Sequence, residues 1–196
     1  MSYQNFPLLA GLLYLLTGVI SVGSAWIMGL HRFDLGISFS AYVGLQRWTS
    51  VLYFIAAVGM IVLLAVYVIR LHIPLIKKLL YAAVFAGIFG TAFFPLNTFS
   101  SAPTAVTPHL PNQFAIGLML ATTVSFILSV ILSKSKRHKL TAGLSLAFAA
   151  GFIMCYAMDI PVLFAAFFIW ENLFIVLLLL ELSMEQYDDA RPERRQ

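Results

Sequence analysis

Charge is what this chain has least of. Asp, Glu, Lys and Arg make up 10% of its 196 residues, against 61% hydrophobic residues, whereas soluble domains carry about 25% charged residues. So little charge excludes an ordinary soluble domain and points to a polytopic membrane protein. No stretch between the apolar runs is long enough for a second folded domain. Cysteine is nearly missing as well. Cys155 stands alone, which excludes an intramolecular disulfide, and its apolar neighbours predict an inert packed thiol. The formal charge of +4 does not imply nucleic acid, because the basic residues are spread over short connections and not gathered on one face. Strong catalytic signatures are absent: no His-Glu-x-x-His, no paired Cys-x-x-Cys, no phosphate loop and no Gly-x-Ser-x-Gly. No metal and no cofactor are expected, and without histidines facing each other inside the spans the pattern argues against a haem. The first residues lack a basic n-region and the first apolar run is too long for an h-region, so no cleavable signal peptide is expected. Lipidation motifs are lacking too.

What the chain does have is six apolar runs, at about 6–30, 49–69, 79–95, 112–133, 140–158 and 161–183. They predict an all-α integral membrane protein: one domain (1–183), a six-transmembrane-helix antiparallel bundle, followed by a short tail (184–196) that continues the last helix briefly before fraying. The third run is the shortest, Gly-rich, and ends at Pro95. Arg70, Lys77, Lys78, Lys134, Lys136, Arg137, Lys139, Arg191, Arg194 and Arg195 fall on one side of this layout, leaving Arg32 and Arg47 on the other. By the positive-inside rule both termini are cytoplasmic.

Two outer connections are unusual. Residues 31–48 are too apolar for a loop in water, and predict an interfacial segment with Phe33, Phe39, Tyr42 and Trp48 at headgroup level. Residues 95–111 hold Pro95, Pro103, Pro108 and Pro111 and cannot be helical throughout; an ordered lid and a plain loop are both open. Ala83/Gly87, Ala86/Gly90 and the ridge Gly143, Ala147, Gly151 are small residues four apart, spaced for close helix packing within the bundle or against a second copy. Ser125 and Ser129 are expected to bond back to their own helix carbonyls.

The site prediction centres on Glu171, about 15 Å along the last run from Pro161 by helix rise and so close to the midplane of a core about 30 Å thick. A carboxylate there must be neutralised, paired or hydrated. With no Lys or Arg expected in any span, its partners should be neutral: Asn172, or Tyr14, Thr17, Ser21, Thr91, Ser125 or Tyr156 in other spans. It is expected to be protonated, donating one hydrogen bond across the bundle. The outer face also gathers His31, Asp34, His109 and Asp159. His109 could serve as a general base oriented by Asp159 or Asp34, or, as a lone loop histidine beside a turn aspartate, be structural.

Phe94-Pro95 closing the third helix, His109 before the fourth and Glu171 in the last, on a six-span layout with basic inner loops, resemble the bacterial family called domain of unknown function nine hundred and ninety-eight. That family is similar to the Frag and DRAM-like six-span proteins of eukaryotes. Where its pattern carries an Arg after the acid, this chain has Asn172. The resemblance implies the six-span fold and a bacterial cytoplasmic membrane, and says almost nothing about substrate.

Three functional readings remain open. The first is binding or transport of a lipid or small amphipathic ligand in a pocket opening to the outer face. Glu171 and Asn172 are its polar anchor, and Trp170, Trp26, Tyr156, Phe164, Phe167 and Phe168 its walls. The second is a non-catalytic subunit or scaffold, as a homo-oligomer or with a membrane partner, meeting it through the Gly143 ridge. The third is a membrane-embedded enzyme acting on lipid headgroups through His109 and Asp159. Nucleic acid is not an expected partner.

Overall fold

The computed structural model describes residues 3–30, 39–97, 109–158 and 167–189. Among them all regular structure is helical. A 3-10 turn (Tyr3–Asn5) leads into α1 (Phe6–Ile27). Then follow a short α2 (Phe39–Gly44), α3 (Arg47–Arg70), α4 (Leu75–Asn97), α5 (His109–Leu132), α6 (Lys136–Ala157) and α7 (Phe167–Asp189). Helices α1, α3, α4, α5 and α6 are long and apolar enough to cross a membrane. Helix α7 matches them in length, at 23 residues, but carries Glu171, Glu181 and Glu185.

Local chemistry sets several boundaries. Pro7 sits in the first turn of α1, where its missing N–H costs nothing. The same helix ends at Gly29, whose φ of +65° is left-handed. There the N–H of Leu30 donates to the Ala25 carbonyl and that of Gly29 to the Trp26 carbonyl, closing the helix end. The chain reverses through residues 71–74 between α3 and α4 and through 133–135 between α5 and α6. Connections that short make antiparallel neighbours. The long helices pack in chain order, α1 on α3, α3 on α4, α4 on α5, α5 on α6 and α6 on α7, and α7 returns to α1. A ring of six helices results.

The sidedness of this ring is inverted relative to a water-soluble bundle. Large apolar side chains face outward along every long helix, among them Leu15, Ile55, Leu79, Ile131, Leu144 and Val176. Facing inward are Thr17, Ser21, Lys77, Thr122, Ser125, Ser129, His138, Glu181 and Glu185. Hydrocarbon solvates the outside, so polar groups find partners only in the interior.

Helices α4 and α5 approach closely because of two glycines. A Cβ on Gly87 would lie 2.8 Å from Leu118 Cβ, and one on Gly90 2.1 Å from the Phe114 ring. The Gly143 ridge behaves differently. Among the described residues nothing lies within 4 Å of a Cβ position on Gly143 or Gly151, so these two glycines mark no close helix approach there.

Several expectations need correction. The third span is not short: α4 begins at Leu75 and continues through Pro95 to Asn97. Lys77 and Lys78, read as loop residues, are therefore helical. Helix α6 begins at Lys136, ahead of the expected 140, which draws His138 into the bundle. Helix α7 runs past 183 to Asp189, so Glu185 is not a tail residue. Tyr42 does not face outward from the bundle: it is 1% exposed and meets Phe168 edge-on at 6.0 Å. Its helix is tied down by the hydroxyls of Thr49 and Ser50, 2.8 and 3.0 Å from the Val43 carbonyl. Trp48, by contrast, is exposed. Phe33 and the 98–108 stretch of the expected lid lie outside the described residues.

Candidate functional site

Helix α7 presents one stripe to the interior. Glu171, Phe174, Leu178, Glu181 and Glu185 recur at spacings of three and four, which places them on one face. Apart from half-buried Glu171, all are buried, Glu181 completely. At 1.5 Å per residue, Glu171 and Glu181 are about 15 Å apart along the axis. The stripe therefore has two polar stations separated by an apolar step.

The station at Glu181 and Glu185 is the denser one. Lys77, from the first turn of α4, extends its ammonium into the bundle, where it pairs with Glu185 Oε1 and donates to Ser129 Oγ at 2.7 Å. Ser129, on α5, donates its own hydroxyl hydrogen bond to Glu181 Oε1. Tyr81, one helical turn beyond Lys77, donates to Glu185 Oε1 at 3.2 Å. His138, in the first turn of α6, brings Nε2 to 3.0 Å from Glu181 Oε1. The Ser133 hydroxyl lies 2.7 Å from its Nδ1 and orients the ring. From α3, the Tyr67 hydroxyl lies 2.9 Å from the Leu182 carbonyl and 3.0 Å from Gln186 Oε1. Four helices thus converge on α7. Lys77, His138, Glu181 and Glu185 are between 0 and 4% exposed.

Electrostatics makes this arrangement informative. Taking charges out of water is costly, and their mutual attraction recovers that cost only with good geometry and further hydrogen bonds. Here the carboxylates outnumber the ammonium, and the imidazole can offset the difference only by holding a proton. Glu181 Oε2 is buried and has no hydrogen-bond partner among the described residues. The nitrogen of His138 and the carboxylate oxygens of Glu181 and Glu185 offer ligand atoms all within 4.8 Å of one another. Such a centre can hold a proton or a small cation.

The second station is looser. Glu171 lies within electrostatic range of Tyr14 on α1 and Tyr53 on α3, and Tyr53 shares a side-chain hydrogen bond with Thr91 on α4. Asn172 does not link helices: its Nδ2 donates to the Phe168 carbonyl of its own helix at 2.7 Å. Trp170 stacks on Phe148 with ring centres 4.8 Å apart and also meets Phe152, an aromatic cluster between α6 and α7. Trp26 is 68% exposed, on the outside of the bundle and not in an interior wall. The side chains of Tyr156 and His109 and all of Asp159 lie outside the described residues. Ser129, expected to bond back along its helix, instead bridges Lys77 and Glu181.

Lys77, His138, Glu181 and Glu185 were not among the residues expected from sequence. The first two look like topology charges and the last two like the start of a polar tail. The three-and-four spacing of Glu171, Phe174, Leu178, Glu181 and Glu185 was the available signal, since a tail in water has no reason to keep acids in register with a buried helix face.

Fold and site together describe an all-helical membrane protein with a buried ionisable centre at one end of its bundle. Comparison with family models, curated proteins and solved structures found no match.

Proposed function

We propose that this chain is a six-span transport protein of a bacterial cytoplasmic membrane, both termini in the cytoplasm, whose working centre is the buried Lys77–Glu185–Glu181–His138 network and whose solute is a cation. The orientation draws on the basic residues: Arg70, Lys78, Lys134, Lys136, Arg137 and Lys139 cluster at the end of the bundle that holds the network. The sixth span is α7, whose glutamates are tolerated because they face protein and not lipid. The bacterial membrane comes from the family resemblance alone, which rests on Phe94-Pro95, His109 and Glu171.

One observation carries the functional reading: of two buried carboxylates, Glu185 pairs with the Lys77 ammonium, while Glu181 meets the Ser129 hydroxyl and the His138 imidazole, so a neutral imidazole leaves one negative charge that a cation can cancel. Stability does not account for such a network, because well-packed apolar residues commonly serve as well or better in its place. Intramembrane ionisable groups mark ion or substrate pathways by default. Glu171, about 15 Å further along the same face, offers the solute a second carboxylate toward the outer side.

The test is charge movement. Protein reconstituted in liposomes on a solid-supported membrane is challenged with jumps in proton, monovalent and divalent cation concentration. A transient current is expected, lost in Glu181→Gln and in Glu185→Gln. Wild-type protein that gives no current with any cation, or variants that keep it, would sink the proposal.

The amphipathic-ligand reading keeps one specific support, the half-buried Glu171 beside Tyr14, Tyr53 and the Trp170 cluster. A cationic headgroup suits a carboxylate among aromatic rings. A native lipid co-purifying with wild type and lost in Glu171→Gln would favour it over the inner-end centre.

A further inference from the structure

We infer that His138, Glu181 and Glu185 bind a first-row divalent transition-metal ion, with zinc as the probe, and that the Lys77 ammonium occupies part of this site when the metal is absent. The inference rests on the reading that the centre takes a cation, and names the class.

The donor set speaks first. One imidazole nitrogen and two carboxylates suit zinc, manganese or iron, whereas calcium and magnesium prefer oxygen alone. All three ligand atoms already lie within 4.8 Å of each other, and His138 Nε2 and Glu181 Oε1 within 3.0 Å. Ligands at about 2.0–2.2 Å from an ion sit about 3–3.5 Å apart, so only Glu185 must swing inward.

An independent sign is the orphaned oxygen. Glu181 is 0% exposed, yet its Oε2 has no hydrogen-bond partner among the described residues, and a buried carboxylate oxygen without a donor is uncommon. A cation is the partner it lacks. The imidazole also carries the outer support typical of a metal ligand: Ser133 Oγ holds Nδ1 at 2.7 Å, leaving Nε2 turned toward the carboxylates.

Lys77 explains how the site stays intact without metal. Its ammonium pairs with Glu185 and reaches Ser129, a stand-in charge between the two acids. The residue lies in the first turn of α4, and a lysine stem can withdraw its head to the cytoplasmic surface. A divalent ion then balances both carboxylates by itself. Lys77 is a competitor for the metal, not a ligand, and that distinguishes the proposal from a plain structural ion pair.

The experiment uses the full chain in detergent, tag removed and stripped with chelator, titrated calorimetrically with zinc ion alone. One zinc per chain is expected. Glu181→Gln should weaken binding at least tenfold and Ser133→Ala by about tenfold, while Lys77→Met should tighten it. Where Lys77→Met is poorly folded without metal, zinc should restore its melting temperature toward that of wild type. His72→Ala, at an exposed histidine in the connection before α4, should leave the affinity unchanged. No saturable binding by wild type, unchanged affinity in Glu181→Gln, weaker binding in Lys77→Met, or a loss in His72→Ala would each overturn the site. Cation-evoked currents lost in Glu181→Gln, in protein that binds no zinc, overturn the metal assignment and leave the transport reading standing. Zinc binding without any current supports the site and defeats the transport reading.

Discussion

Lys77 and Glu185 stand 108 residues apart in the chain and meet inside the protein, their side chains 2% and 5% exposed. The contact joins the first turn of α4 to the last turns of α7 and lies between Tyr81 and Ser129. In this paired arrangement neither side chain is in contact with bulk water. Removing one partner strands the other, so Lys77→Met and Glu185→Met should each cost about 3–5 kcal/mol. The double variant should cost less than the sum, because it removes the pair and its desolvation together. Denaturation midpoints in detergent measure this; strictly additive losses would show that the two charges are not coupled.

Gly90 admits no side chain. A Cβ there would sit 2.1 Å from Phe114 Cδ1 and 2.3 Å from its Cγ, too near the root of the ring for rotation to relieve. Gly90→Ala should destabilise by about 1–3 kcal/mol, the usual cost of overpacking. Gly143→Ala is the counterpart: with nothing within 4 Å among the described residues, it should be neutral or stabilise by up to about 1 kcal/mol through helix propensity. Melting temperatures of the two variants should shift in different directions or by clearly unequal amounts.

Glu171 should tolerate loss of its charge better than loss of its side chain. Glu171→Gln keeps the hydrogen-bonding end near Tyr14 and Tyr53 and should change stability by less than about 1 kcal/mol. Glu171→Ala leaves that polar neighbourhood without its partner, at about 1–3 kcal/mol. Equal losses in both variants would mean that an ionised carboxylate is what the site requires. Infrared difference spectra of wild type against Glu171→Gln report the protonation state directly.

Both termini are expected in the cytoplasm. Fusions of a folding-dependent fluorescent reporter at either end should glow in a bacterial host, and fusions of a phosphatase active only outside should stay silent. A phosphatase-active C-terminal fusion would remove the sixth span if the N-terminus stays inside, and would reverse the assignment of the Lys77 end to the cytoplasmic side if both termini lie outside.

Much of the fold was legible in the amino-acid order. Apolar runs of about 20 residues can be satisfied in a bilayer only as helices, since hydrocarbon offers the backbone no partner. That reasoning placed α1, α3 and α5 to within about three residues, whereas α4 and α6 open earlier than expected and α7 runs on to Asp189, past the expected 183. Lys77, Lys136 and His138 lie in the first turns of α4 and α6, and Glu185 in the last turns of α7. Hydropathy averages count such residues as loop, although their backbone is helical.

The site was less legible for a related reason. Glu171 stood out because its sequence neighbours are apolar, and burial of a helix can be inferred from its own composition. Whether Lys77 or Glu185 is buried depends on what lies across the bundle, and no local window contains that information. A lysine next to an apolar span normally reaches back to water; here α5, α6 and α7 close over it and offer Ser129 and Glu185 instead. Composition and periodicity by themselves determined that this is a helical membrane protein with an inward-facing acidic residue. The tertiary packing of α4, α5 and α6 against α7 alone decided that the main ionisable centre lies at Glu181 and Glu185, because the energy of a buried charge is set by the groups that surround it in space and not by its neighbours in the chain.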